Sequence, residues 1–443
     1  MRFRLHPLAA GLAVAFSSSA AWQSANAQSA DVLSDIVIRA SRPTNVPEST
    51  TLDPNGMASL RAATSDAASL LRDIPGVSIY GAGGVSGLPA IHGLADDRLR
   101  IKVDGMDMIA SCPNHMNPPL SYLDASGITR LQVFAGISPV SVGGDSIGGT
   151  IIAETRPASF AGAGEGLLAK GEVGAFYRSN GGALGGNVAL SFATENLNLS
   201  YTGATARAAN YDAGDDFRSS ATSGRLGRKV ALDEVGSSAY KTRTHTLGFA
   251  IKGGDHLVEA KLGYQEVPYQ LYPNQRMDML DNEQKRFNLR YLGKFAWGGL
   301  EARAYHERVE HRMDFGPDKR FWYGTGSGGP AAPAGSPCAP LGMNCAAGMP
   351  MYTSSRNTGV TVKADVDLNE RNLLRVGAEV QHYTLDDWWP PSGGMMWPGT
   401  FDNINDGERN RKAVFVEWEA RPGALWTTLA GVRYERVTTD AGP

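Results

Sequence analysis

The chain has 443 residues and a formal net charge of −3, with 42% hydrophobic residues, 20% charged residues and 53 glycines, the last being about 12% against an average near 7%. That charge balance excludes a dedicated nucleic-acid binder, which carries a basic surplus. Beyond residue 30 there is no run of 18 apolar residues, which excludes a bundle of membrane helices. A membrane β-barrel stays open, because its strands alternate apolar and polar residues.

The first segment reads as an export signal. Arg2 and Arg4 precede a compact apolar run, Leu8 to Phe16, and Ala25-Asn26-Ala27 is a small-x-small cleavage site. The expected signal peptide is 1–27. Export permits disulfides. Cys338 and Cys345 lie seven apart in a Gly/Pro-rich loop and form a candidate disulfide, which leaves Cys112 as a free thiol or a ligand.

Residues 28–56 read as a polar arm with Pro43, Pro47 and Pro54. Within it, Asp35-Ile36-Val37-Ile38-Arg39-Ala40 is β-prone. Such a run either adds a strand to a partner's sheet edge or is a strand of the following domain. Residues 57–160 read as a small mixed α/β domain. Ser65 to Leu71 is expected to be helical with Ser65 as N-cap, and strands are expected at Val77–Tyr80, Arg98–Val103, Ile128–Phe134 and Thr150–Glu154.

From about residue 166 the texture becomes alternating strands. They are expected at 166–177, 184–194, 197–207, 242–253, 256–267, 285–297, 299–313, 357–368, 372–384, 410–420 and 424–436. Leu197, Leu199 and Tyr201 alternate with Asn198, Ser200 and Thr202, the period of a wall with one apolar and one polar face. Short turns alternate with long loops at 208–241, 268–284, 314–356 and 385–409, as in outer-membrane barrels. Trp297, Trp322, Trp388, Trp389, Trp397, Trp418 and Trp426 fall at strand ends or loops, which fits interfacial girdles and equally fits exposed aromatics in ligand loops. Eleven strands do not close a bacterial single-chain barrel, so the sequence is expected to be the N-terminal portion of a larger protein.

Three motifs in this order resemble TonB-dependent outer-membrane receptors. Leu70-Leu71-Arg72-Asp73-Ile74-Pro75-Gly76-Val77 resembles the opening of the plug domain. Ile101-Lys102-Val103-Asp104-Gly105 resembles its "v-DG" strand, and Val142 to Ile152 its closing glycine-rich segment. Ile91-His92-Gly93 departs from the family, which usually has Arg before Gly. The resemblance implies a mostly β fold: a 22-stranded transmembrane antiparallel barrel filled by an N-terminal α/β plug, with 161–443 as the N-terminal half of the barrel. It makes the run at 35–40 a TonB box, with Asp35, Ile36, Val37 and Ile38 contacting TonB. It also implies the outer membrane of a Gram-negative bacterium, with lipid around the wall and a metal ion or metal chelate as cargo. No catalytic constellation is present, G-x-S-x-G included, so an enzyme is not expected.

The cargo is suggested by soft donors. Cys112-Pro113-Asn114-His115-Met116 is a Cys-x3-Met in the loop after the DG strand, stiffened by Pro113, Pro118 and Pro119. His311-Arg312-Met313 ends the strand 299–313. Residues two apart on a strand share a face. Glu301, Arg303 and Glu307 share the parity of His311 and Met313, while Leu300, Ala302 and Ala304 take the other. The first set is therefore expected to face the lumen. One thiolate, two thioethers and an imidazole are expected to converge at the outer mouth. Thiolate and thioether select copper(I), and imidazole also suits copper(II). The plainer alternative is that the methionines are packing and the histidine an ordinary surface residue.

The pattern also resembles that of TonB-dependent copper receptors. The implied metal ligands are Cys112, Met116, His311 and Met313, with copper as the transported species. Met106, Met108, Met277, Met279, Met343, Met349, Met351, Met395 and Met396 are candidates for a thioether relay or are gap-fillers. His92 and His115 are expected not to be ligands. A ferric siderophore is the alternative cargo, held by loop aromatics such as Trp322, Tyr323, Trp388, Trp389 and Trp397. A passive porin or adhesin needs neither plug nor TonB box.

Overall fold

A computed structural model describes residues 49–221, 228–319, 322–323, 346–393, 399–423 and 425–442. The expected signal peptide, the TonB box at 35–40 and the cysteine pair Cys338 and Cys345 lie outside the described residues.

The N-terminal part is built on a five-stranded sheet. In chain order its region contains β1 (Ser49–Leu52), α1 (Pro54–Ala63), β2 (Val77–Gly81), β3 (Gly87–Ile91), β4 (Leu99–Val103), β5 (Met106–Asp107), β6 (Ile128–Phe134) and β7 (Gly149–Thr155). The sheet order is β1-β6-β7-β4-β5, and β2 pairs separately with β3. β4 and β7 run parallel, and the other pairs are antiparallel. Asp104 and Gly105 link β4 to β5 with φ of +48° and +76°. Two central residues at positive φ are what a tight two-residue hairpin requires, which accounts for the Asp-Gly pair. Leu70, Leu71, Ile91, Leu120, Ile128, Leu131 and Ile151 form the fully buried centre.

Two local expectations change. The helix expected at 65–71 is a 3₁₀ turn over Ala68–Leu71, and the helix proper is α1, capped by Asp53, whose carboxylate accepts from Gly56 N at 2.8 Å. Pro54 at its first turn suits a helix start and not the extended arm read from sequence. Ser65 is not the cap. Asp66 takes the Ser69 N–H at 3.1 Å, and Ser65 receives Arg178 at 2.6 Å. Likewise β1, placed in the arm on sequence, pairs with β6.

The second part is an eleven-stranded antiparallel wall. Its strands are β8 (Leu168–Arg178), β9 (Ala183–Ala193), β10 (Leu197–Ala208), β11 (Tyr240–Gly253), β12 (His256–Gln270), β13 (Asp278–Phe295) and β14 (Gly298–Asp314). After the small pair β15 (Trp322–Tyr323) and β16 (Ala346–Ala347) come β17 (Met351–Asn369), β18 (Asn372–Trp389), β19 (Phe401–Gly423) and β20 (Trp426–Asp440). Neighbours in space are neighbours in sequence, apart from β14, which pairs with β17. The sheet does not close on itself: β8 and β20 are its edges. One end carries the short turns and the other the long connections.

Alternation sets the two faces. Leu199, Phe249, Leu262, Phe287, Val362, Val380 and Val416 are exposed on one, while Asn198, Gln265, Asn288, Thr361, Glu379 and Glu417 are buried on the other. Trp297, Trp418 and Trp426 are exposed near the short turns. An apolar outer belt with aromatics at its rim is a lipid-facing pattern. No helix among the described residues is long and apolar enough to cross a membrane.

The wall curls round the plug sheet. Arg178 of β8 donates to Ser65, Tyr305 and Val309 of β14 complete the plug core, and Ser141 donates to Glu417 of β19 at 2.8 Å. The tightest tie is ionic. Arg100 on β4 meets Asp107 at 2.7 Å and Glu379 of β18 at 2.5 Å, Arg433 of β20 reaches Glu379 at 2.8 Å, and Arg411 of β19 pairs with Asp107.

Candidate metal site at the long-loop end

The plug's contribution is a turn. Pro113 fixes the backbone after Cys112, and His115 N donates to Cys112 O at 2.9 Å. His115 sits at φ +52°, so the chain reverses and Met116 folds back towards Cys112. Cys112 is fully buried and Met116 nearly so. Burial pushes the thiol up to about 11, against the pull of the Met116 and Asn114 backbone N–H groups on its sulfur. A soft cation would supply the charge that the buried thiolate lacks.

The wall's contribution comes from three adjacent strands. On β14, Arg303, Tyr305, Glu307, Val309, His311 and Met313 are all buried, so this parity faces inward. Met313 stands opposite Met279 of β13 on one side and Met351 of β17 on the other. Cys112, Met116, Met277, Met279, Met313 and Met351 lie in a single buried cluster with Val267, Tyr272 and Phe315, and Met349 and Trp389 pack against it. Tyr272 pins the plug loop by donating to Met116 O at 2.6 Å.

His311 completes the set. Its Nδ1 lies 3.3 Å from Asn282 Oδ1, which also accepts from Asn117 Nδ2 at 3.0 Å. A carbonyl oxygen only accepts, so Nδ1 carries the proton and Nε2 keeps its lone pair. That Nε2 is buried and has no hydrogen-bond partner among the described residues. A metal-binding imidazole has this arrangement, with one nitrogen oriented by a neighbour and the other free. Asn282, next to neither motif in sequence, thus ties His311 to the residue that follows Met116.

The remaining candidates divide. His115 turns away to Asp96 and Asp97, at 3.8 and 3.5 Å. His92 Nε2 meets Ala135 O at 3.2 Å. Met106 and Met108 belong to the plug core. Trp388 stacks on Tyr352 at 5.7 Å, on strand positions of the opposite parity to Met351. Met343, Met395, Met396 and Trp397 lie outside the described residues, as do the side chains of Trp322 and Tyr323. Among the described residues, no three His, Cys, Asp or Glu side chains come together as a metal-binding group. The donors gathered here are sulfurs and one imidazole.

Residues 42–150 match the model of the TonB-dependent Receptor Plug Domain. This segment is similar to the plug domain of TonB-dependent receptors. No curated protein sequence matches the chain. Solved structures share its fold. The copper transporter OprC is 20% identical with a TM-score of 0.71, over 89% of this chain and 56% of that one. The FrpB iron transporter from Neisseria meningitidis is 16% identical with a TM-score of 0.58, over 88% and 58%. The ferric enterobactin receptor PfeA from Pseudomonas aeruginosa is 15% identical with a TM-score of 0.60, over 89% and 58%. The likeness is one of fold, and the chain spans little more than half the length of these structures. The likeness in fold takes in both the five-stranded sheet and the curled antiparallel wall around it.

Proposed function

We propose that the protein is a TonB-dependent outer-membrane receptor that captures copper at the long-loop end and passes it inward with energy drawn from TonB. The observation that carries the cargo is the single buried cluster joining Cys112 and Met116 of the plug to Met313 of the wall, with the lone pair of His311 Nε2, unpartnered among the described residues, on the same face. Thioether and thiolate donors favour copper(I), and hard cations prefer oxygen. Copper(II) is the other form the imidazole accepts. The donors come from both plug and wall, so a shift of the plug would split the site and release its metal. The pull would reach the plug through Asp35, Ile36, Val37 and Ile38.

A ferric siderophore takes second place, although FrpB and PfeA share the fold. It calls for aromatic and arginine side chains at the mouth, and there Trp388 is stacked on Tyr352 while Trp389 packs on the sulfur cluster.

The test is metal analysis with copper K-edge absorption on the full-length receptor and on Cys112→Ser. Near-stoichiometric copper with sulfur scatterers, lost in the variant, is the expected result. A wild type that takes no copper under reducing or oxidising conditions would return Cys112, Met116, His311 and Met313 to packing roles and put the siderophore first.

A further inference from the structure

A second site adjoins the sulfur cluster. A cavity of about 270 Å³ opens between the plug loop at 81–84 and the long-loop ends of β8 to β11. It shares a wall with the cluster. Ala82 lines the cavity and packs on the cluster, and Tyr272 of the cluster is followed by Pro273 of the cavity. The loop is thin because it must be: a Cβ on Gly83 would meet Gln270, and one on Gly84 would meet Tyr240.

The charge in this cavity is unbalanced. Arg178 lines it, and its Nη2 donates to Ser65 Oγ at 2.6 Å and to Tyr240 OH at 3.1 Å, both neutral. Its Nη1 makes a long bond to Ala62 O at 3.4 Å, and its guanidinium lies over the Phe176 ring at 4.1 Å. Among the described residues no carboxylate comes within 4.0 Å of Arg178, whereas the buried Arg100, Arg375, Arg411 and Arg433 are each paired with one. A half-buried guanidinium with only neutral partners, facing a cavity, is a receptor for an anion. Its planar fork fits a carboxylate, and its single charge balances a single carboxylate. Tyr240 OH donates to Ser65 Oγ at 3.1 Å, which leaves the Ser65 hydroxyl proton for the remainder of a small ligand.

We propose that this cavity binds a small carboxylate as a ligand separate from the metal, on the far side of the wall formed by Ala82 and Pro273. The carboxylate site stands on its own observations and does not rest on the copper reading.

The test is calorimetric titration of the full-length receptor with citrate, malate and inorganic phosphate, alongside copper analysis after loading with copper(I) supplied in acetonitrile. The wild type is expected to bind a carboxylate saturably. Arg178→Gln should weaken that binding at least tenfold, Arg178→Lys should weaken it less, and copper(I) loading, which also reports an intact fold, should be unchanged in both. No saturable carboxylate binding by the wild type, equal binding by Arg178→Gln, or phosphate bound as tightly as carboxylate would each overturn the proposal. Arg178-dependent carboxylate binding in a receptor that takes no copper would sink the copper reading and leave the carboxylate site in place.

Discussion

His311 and Asn282 face each other across β13 and β14, with 3.3 Å between Nδ1 and Oδ1. That contact decides which imidazole nitrogen is free. Asn282→Ala removes it, and copper affinity is expected to fall roughly 10- to 100-fold, as when a metal-bound histidine loses its orienting neighbour. Asn282 also holds Asn117, so Asn117→Ala is the control, because it leaves the His311 contact in place and breaks only plug-side bonds, to Asn282 at 3.0 Å and to Tyr122 OH at 2.7 Å. Competition against a copper(I) chelator reads both. Equal affinities in Asn282→Ala and the wild type would show that His311 is oriented by something else, or is not a ligand.

Methionines of equal burial should behave unequally. Met313 and Met106 are 0% and 1% exposed, the first in the sulfur cluster and the second in the plug core. Leucine conserves volume and removes the sulfur, at a stability cost below about 1.5 kcal/mol. Met313→Leu is expected to cut copper affinity at least tenfold with little change in stability, and Met106→Leu to change neither. Met279→Leu and Met351→Leu, which flank Met313 in register, should give intermediate losses. Metal titration paired with thermal unfolding separates the effects. Equal copper losses in the Met106 and Met313 variants would mean that these substitutions act through packing.

Much of the fold was legible in the sequence, for a physical reason. β9 and β10 were readable because an exposed apolar face on one side and a buried polar face on the other give alternation, as in Leu197, Asn198 and Leu199. The long-loop third of β13 was not. There Asp281 and Glu283 on the outward face are as polar as Asn282 and Gln284 on the inward one, because beyond the apolar belt both faces meet polar surroundings. The Cys-x3-Met and His-x-Met motifs are local and could be read directly. The alignment of Met279 and Met351 with Met313 is a register relation across three strands, set by connections whose lengths in sequence do not fix it. Asn282 and Arg178 carried no local signal at all, since their roles come from what the plug brings against them.

Glu379 is the hub of the plug–wall tie. Its carboxylate meets Arg100 at 2.5 Å, Arg433 at 2.8 Å and Lys102 at 3.5 Å. Removing one partner from a buried ion cluster leaves charge uncompensated, at a cost of ~3–5 kcal/mol. Glu379→Ala is expected to loosen the plug, seen as faster proteolysis within residues 99–107 and a lower unfolding midpoint. Adding Lys102→Met should restore part of the loss, because Glu379 is the ion partner of Lys102, whereas Arg100 keeps Asp107 and Arg433 keeps Glu435. A single variant as protease-resistant as the wild type would mean that Asp107 and Glu435 carry the tie without it.

A second tie should respond to acid. Asp104 accepts from Thr155 N at 2.8 Å and Oγ1 at 2.6 Å, and Lys261 of β12 reaches it at 3.2 Å. Burial pushes its carboxyl up, but Lys261 and the Thr155 bonds outweigh burial and hold it at about 2, below its ordinary 3.8. A carboxylate whose folded value is depressed stabilises the fold above its unfolded value and loses that contribution as pH falls through the folded one. The join of β4, β7 and β12 should therefore be intact at pH 5 and weaken between about pH 4 and 2. Hydrogen exchange at Thr155 over that range is the measurement, with Asp104→Asn as reference. The variant has no proton to take up there, so its exchange should be faster at pH 5 and should change less as acid is added. If wild type and variant share one pH profile, the acid sensitivity of the join belongs to other carboxylates and Lys261 contributes only packing.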